Sequence, residues 1–311
     1  MPVDSQIQSL LDMMAAMGAP PLEQQTVADA RQRMTMMSQM GGSPEAVHKV
    51  ENRTIPGSAG EIPVRIYTPE GDGPFPMLVF FHGGGFVIGD LDSHDPLCRT
   101  LTNAAHCIVV AVDYRLAPEH TFPAAPEDCY AATKWVADNA ASLNGDAARI
   151  AVGGDSAGGN LSAVVSLMAR DRRGPTILFQ LLIYPVTDYY LPGTPSLREN
   201  ADGYFLTRNS MIWFFNHYVP EGSDLDNPYL HPLRAKNLSN LPPAFVITAE
   251  YDPLRDEGEA YAQRLREAGV TVQAKRYNGM IHGFFNMVAA VDVAKEAVNE
   301  AAGALRKAFG K

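Results

Sequence analysis

The sequence predicts an α/β fold built on a mostly parallel sheet, and three observations carry this. Short apolar runs alternate with longer stretches at helical spacing over most of the chain. Several runs, LVFF, CIVVAV and LLIY, are apolar at nearly every position, which suits strands covered on both faces. The chain has 311 residues, 46% hydrophobic and 19% charged, enough to bury a large core without a disulfide or metal staple.

The elements follow in order. Residues 3–39 carry helical punctuation and no β run, with Leu10, Leu11, Met14 and Met17 at helical spacing. The Met34–Met40 stretch reads as core or lid packing, and Gly41-Gly42 closes the segment. From Val47, VHKVENRTI and EIPVRIY alternate like two antiparallel strands around Pro56-Gly57. Further strand runs are expected at 77–81, 107–112, 149–154, 177–184, 244–249 and 271–277, and helices at 94–105, 123–140, 157–171, 255–268 and 290–308. Residues 188–238 break the alternation and are rich in Pro, Asn and aromatics. A long insertion of this kind in a compact domain is usually functional, often a lid.

A formal net charge of −10 argues against nucleic acid or an anionic membrane as a partner, because both demand a basic footprint. Cys98, Cys107 and Cys129 are too few for a disulfide framework and are read as buried small hydrophobes. The N-terminus has no Lys or Arg before Arg31, so it lacks the basic region of a signal peptide, and no apolar run reaches membrane-spanning length. A cytoplasmic protein without stable membrane association is expected. No HExxH or comparable Cys/His spacing calls for a metal.

The strongest chemical signal is Gly154-Asp155-Ser156-Ala157-Gly158, between the strand RIAVG and a small-residue helix. A sharp strand-to-helix turn strains the serine backbone and projects its Oγ at the end of the sheet. Small residues must flank it because strand and helix nearly touch. The second signal is His82-Gly83-Gly84-Gly85-Phe86, directly after a strand. Such a loop lets backbone N–H groups face a developing oxyanion, and it lacks the endings of phosphate-binding loops. A nucleophilic serine needs a base and an acid that orients the base. Of eight histidines, His282 lies five residues past the last strand run, where α/β sites gather. The acid is expected at the exit of AFVITA. Asp252, followed by Pro253, suits that place best, Glu250 is its main rival, and Asp256 falls after the turn begins.

HGGGFVIGDLDSHD, DYRLAPEHTFPAAPED, GGDSAGGN, YDPLRDE and IHGF occur in an order that resembles the bacterial hormone-sensitive-lipase family of carboxylesterases, from about Val47 to the C-terminus. The resemblance implies an α/β-hydrolase fold with a mostly parallel eight-stranded sheet and a helical cap. The implied division is an N-terminal cap segment at 1–45, a catalytic body at 46–187 and 226–311, and a cap insertion at 188–225. It makes Ser156 the nucleophile, His282 the base and Asp252 the acid, with the N–H groups of Gly84, Gly85 and Ala157 as the oxyanion hole. His82 would hold the glycine loop, and Asp155 places the chain in the GDSAG branch. Leu206, Met211, Phe214 and Phe215 would face the substrate, although an aromatic cluster at helical spacing also suits a core. Asp113, Arg115 and Glu119 are expected to form a buried structural network.

The expected activity is cofactor-free hydrolysis of a small-molecule ester with an acyl chain of roughly four to eight carbons, since a closed pocket gains from each CH₂ only until its wall is met. A lactonase, amidase or acyltransferase would use the same groups. A non-catalytic receptor of the same fold is disfavoured by the presence of His282.

Overall fold

The computed structural model describes residues 2–39 and 44–310, without the side chains of 37–39. Met40, Gly41 and Gly42, the expected close of the N-terminal segment, lie outside the described residues. The strands are β1 (Lys49–Pro56), β2 (Glu61–Thr68), β3 (Phe75–Phe81), β4 (Ile108–Val112), β5 (Gly145–Asp155), β6 (Phe179–Ile183), β7 (Ala244–Tyr251) and β8 (Val272–Ile281). They form one sheet in the order β1-β2-β4-β3-β5-β6-β7-β8. β2 pairs antiparallel with both β1 and β4, and every other pairing is parallel. The expected antiparallel pair around Pro56-Gly57 is therefore present.

Side chains alternate across the sheet with period two, so each strand feeds two cores. From β3, Leu78 and Phe80 pack with α3 (Asp95–Ala105) and α9 (Asp292–Ala308) on one face. Met77, Val79 and Phe81 pack on the other face with α4 (Ala124–Asn139) and α5 (Ala157–Asp171). Further along that second face, α8 (Arg255–Glu267) covers Leu182 and Val246. Each such large apolar side chain contributes about 1.5–3 kcal/mol by leaving water. Double coverage is why the central runs are apolar throughout. All three cysteines are buried in these cores.

The parallel strands end along one edge of the sheet, and the loops that begin at His82, Ser156, Asp252 and His282 all leave from it. One boundary differs from expectation. β8 continues to Ile281, so His282 follows the strand directly instead of lying five residues beyond it. The strand run expected at 271–277 continues through Asn278 and Gly279. In the fold Gly279, at φ +75°, forms an irregularity inside the strand, with Tyr251 paired to Ile281. Its N–H donates to Glu250 Oε2 at 2.7 Å and its carbonyl accepts Asp4 N–H at 3.0 Å.

That last bond anchors the N-terminal segment. α1 (Ser5–Ala16) is capped by the Asp4 carboxylate, which accepts Gln6 N–H at 2.8 Å, and its Ile7 is buried in the α3/α9 core. α2 (Val27–Gln39) is held by Arg31, whose guanidinium donates to the Val87 and Ala117 carbonyls and to both oxygens of Glu119. The insertion contributes α6 (Pro195–Glu199) and α7 (Arg208–Tyr218), capped by the Thr194 and Thr207 hydroxyls. At its base, Arg234 bonds Asp188 at 2.6 Å and Asp226 at 2.9 Å.

The expected Asp113–Arg115–Glu119 network is corrected. Arg115 forks onto the buried Asp128 at 2.7 and 2.8 Å, and Glu119 turns to Arg31. Asp113 instead lines a polar cavity of about 330 Å³ with Arg31, Asp90 and Glu119. Glu119 lies in the turn that follows and reaches α2 through Arg31, while Arg115 reaches α4 through Asp128, so charges close in sequence are claimed by different elements.

Candidate active site

Ser156 sits between β5 and α5 with φ +57° and ψ −117°, a conformation rarely adopted by a residue with a Cβ. The strain persists because its surroundings fix it. Ser156 N–H donates to the Ile183 carbonyl at 2.8 Å. The flanking glycines allow no alternative: a Cβ on Gly154 would lie 2.3 Å from the Phe81 carbonyl oxygen, and one on Gly158 only 1.8 Å from it. The small residues of the motif are thus required by the closeness of α5 to β3.

Ser156 Oγ lies 2.9 Å from His282 Nε2, and His282 Nδ1 lies 2.8 Å from Asp252 Oδ2. Asp252 is fully buried, and its other oxygen accepts Leu254 N–H at 2.8 Å, so this carboxylate also caps the turn into α8. Its two sequence rivals are engaged elsewhere. Glu250 accepts Gly279 N–H, which holds its carboxyl below the usual carboxylate range despite some burial. Asp256 accepts Ser196 N–H at 2.7 Å and pairs with Arg255, tying α6 to α8. The Tyr184 ring covers His282 with centroids 4.5 Å apart. Such a line can pass a proton from a hydroxyl to an imidazole while a buried carboxylate fixes the tautomer and opposes the charge that forms.

The glycine loop stands opposite. Gly84 and Gly85 have φ of +117° and +59°, and the Gly84 carbonyl closes a tight turn by accepting the N–H groups of Val87 and Ile88. Gly83 N–H is taken by the Asp155 carboxylate at 2.9 Å. Ala157 begins α5, so its N–H has no partner within the helix. His82 Nδ1 lies 2.7 Å from the Gly83 carbonyl, and Tyr114 O–H donates to the His82 carbonyl at 2.7 Å. Burial drives the His82 pKa down to about 4, with nearby His94 adding to the fall, so the ring is neutral at pH 7 and serves the loop as a hydrogen-bonding group.

The four aromatic and aliphatic candidates of the insertion fall in different places. Phe214 is half-buried against the glycine loop, where a Cβ on Gly85 would lie 2.2 Å from its ring. Met211 and Phe215 are buried with Val186, Leu197 and Leu254, and Leu206 packs on the rim of that cluster. Four contributors escaped the sequence reading: Tyr114, His94, Asn286 and Asn200. Asn200 donates to the Asp252 carbonyl at 3.2 Å. His94 and Tyr114 lie within the HGGGFVIGDLDSHD and DYRLAPEHTFPAAPED segments, where nothing in the spacing assigns them a role, and Asn286 and Asn200 lie in no motif.

A family model described as the alpha/beta hydrolase fold matches residues 78–286. Among curated proteins, Carboxylesterase NlhH of Mycobacterium tuberculosis is 47% identical over 84% of this chain and 83% of its own length. Carboxylic ester hydrolase LipN of the same organism is 45% identical over 90% of this chain and 76% of its own. Among solved structures, an ester hydrolase from the metagenome of Lake Arreo, complexed with a bipyridine phosphonate derivative, is 46% identical with a TM-score of 0.96, covering 99% of this chain and 100% of that one. The chain belongs to the α/β-hydrolase family, in its hormone-sensitive-lipase-like esterase branch.

Proposed function

We propose that the protein is a carboxylesterase that cleaves small acyl esters through an acyl-enzyme on Ser156. One observation carries the reading: the unbroken hydrogen-bonded line from Ser156 Oγ through His282 to the buried Asp252. Relatives named as ester hydrolases, matched over most of their own length, support the activity class.

In this mechanism Ser156 Oγ attacks the ester carbonyl carbon as its proton passes to His282 Nε2. Asp252 holds Nδ1 and opposes the imidazolium charge. The carbonyl oxygen becomes an oxyanion facing the N–H groups of Gly84, Gly85 and Ala157; Gly83 cannot serve because Asp155 occupies its N–H. Collapse of the tetrahedral intermediate expels the alcohol, which takes the proton from His282. Water then repeats the sequence on the acyl-enzyme and frees the acid.

Residues 1–45 and 188–225 act as a cap, with Phe214 forming the wall that limits chain length and Leu206, Met211 and Phe215 supporting it. Acyl chains of roughly four to eight carbons are favoured, each CH₂ adding at most about 0.8 kcal/mol until the wall is met. The cap's rooting in Arg31–Glu119 and Arg234–Asp188 supports a closed pocket over an oil-facing surface. No helix among the described residues is long and apolar enough to cross a membrane. Buried thiols at Cys98 and Cys129 suit the cytoplasmic location expected from the sequence. The test is a series of p-nitrophenyl esters of rising chain length. kcat/KM should peak within the stated range, and strong activation by emulsified long-chain triglyceride would overturn the substrate assignment.

A further inference from the structure

Asp155 ends β5 one residue before Ser156, yet its side chain lies outside the Ser156–His282–Asp252 line. It is only 4% exposed. Its Oδ1 accepts Gly83 N–H at 2.9 Å and lies 3.1 Å from His94 Nε2. Its Oδ2 accepts Asn286 Nδ2 at 3.0 Å. These contacts reach three separate parts of the site. Gly83 directly precedes Gly84 and Gly85. Asn286 belongs to the turn that follows His282, its own N–H donating to the Gly283 carbonyl at 3.1 Å, and its amide also reaches Tyr184 Oη at 3.3 Å beside the His282 ring. His94 leads into α3, and its Nδ1 is 3.0 Å from Ser93 Oγ.

The approach leaves no slack. A Cβ on Gly83 would lie 2.5 Å from Asp155 Oδ2, so the first glycine of the loop is required by this carboxylate. Burial pushes the Asp155 pKa up, but the adjacent His94 ring and the bond from Asn286 outweigh it and hold the group below the usual carboxylate range. It is therefore a fixed acceptor at neutral pH, joined to the strand that presents the nucleophile.

Resting on the ester-hydrolase reading of Ser156, we propose that Asp155 is a positioning residue, registering the glycine loop and the turn after His282 to Ser156. Two of the oxyanion donors, Gly84 and Gly85, and the base reside on chain segments far from Ser156 in sequence. Preorganised donors act only when aimed at the oxyanion, and a misplacement near 1 Å costs on the order of 10²-fold. The Asp155 side chain touches both segments.

The test compares full-length wild type, Asp155→Asn and Asp155→Asn/Asn286→Asp, using p-nitrophenyl butyrate turnover and titration with a serine-directed phosphonate. Asp155→Asn leaves one carbonyl oxygen where the Gly83 N–H and the Asn286 amide each had an acceptor, so one of the two contacts is lost. Its kcat per titrated serine should fall roughly 10- to 100-fold with KM changed less than about threefold, and the phosphonylation rate should fall in parallel. The double variant restores a donor facing an acceptor and should regain about tenfold or more of that loss. Unchanged kcat per titrated serine, even with a lowered melting temperature, would overturn the proposal by leaving Asp155 a merely structural role. So would a double variant no better than the single one. If Asp155→Asn does not fold, Asn286→Ala decides: kcat per titrated serine should drop about fivefold or more, and no drop overturns the proposal. A wild type that neither turns over ester nor takes up phosphonate would refute the ester-hydrolase reading, and the inference with it. A reactive wild type matched by its variants would refute the inference alone.

Discussion

A Cβ on Gly158 would lie 1.8 Å from the carbonyl oxygen of Phe81, the last residue of β3 before the glycine loop. The start of α5 after Ser156 and the end of β3 before the glycine loop are therefore in backbone contact, and neither can shift alone. Gly158→Ala should destabilise the fold by about 1–3 kcal/mol or more and lower kcat with it. Urea denaturation and ester turnover check this. A variant of wild-type stability would mean that α5 and β3 stand further apart.

Ser156→Ala and His282→Ala should each lose about 10³-fold or more in kcat while remaining folded, because the members of such a set act as a unit. Asp252→Asn should also cost a large factor by releasing the imidazole tautomer. Glu250→Gln should stay near wild type, since Glu250 bonds Gly279 and not His282. Steady-state kinetics on p-nitrophenyl butyrate separates the two acids.

Gly84→Ala and Gly85→Ala should differ. At Gly84 a Cβ would meet the Ile88 carbonyl oxygen at 2.1 Å with φ +117°, a backbone clash without relief. At Gly85 the obstacle is the Phe214 ring. Gly84→Ala should therefore lower kcat by a factor comparable to one lost oxyanion donor, about 10²–10³. Adding Phe214→Ala should recover part of the Gly85→Ala loss and none of the Gly84→Ala loss. Phe214→Ala alone should shift the acyl optimum to longer chains, read from the p-nitrophenyl ester series.

Asp113 provides a pH prediction. Burial, then Asp90 and Asp92, push its pKa up to about 6 from an ordinary value near 4. The folded state thus binds more protons than the unfolded state between these values, and Asp113 lowers stability as pH rises through that window. Asp113→Asn should raise stability by about 1–3 kcal/mol at pH 7–8, with little effect below pH 4. Denaturation curves across pH 4–8 would show the difference opening over that interval, and parallel curves would contradict it.

The fold and the reactive line were legible because their signals are local. Turn glycines around Ser156 and fully apolar strands name themselves, and α5 begins and ends where its small-residue pattern does. The preference for Asp252 over Glu250 rests on the helix-opening Pro253, and the structure brings Asp252 to His282. What the sequence does not express is the fate of Glu250: both stand at the exit of β7 two residues apart, and the irregularity at Gly279 carries a donor to Glu250. The same irregularity hid the end of β8. The Asp155–Asn286 link spans 131 residues and belongs to no motif, and Glu119 is claimed by Arg31 across 88 residues rather than by its neighbours. Pairings of that kind depend on how the loops are brought to one sheet edge, which residue order alone does not express.

The central claim is that Ser156 is the activated nucleophile. The most direct measurement is intact-mass and peptide mapping after exposure to a fluorophosphonate. One adduct per chain is expected, located on Ser156, formed with loss of esterase activity, and absent from Ser156→Ala. An adduct on another residue, or an active enzyme without any adduct, would contradict it.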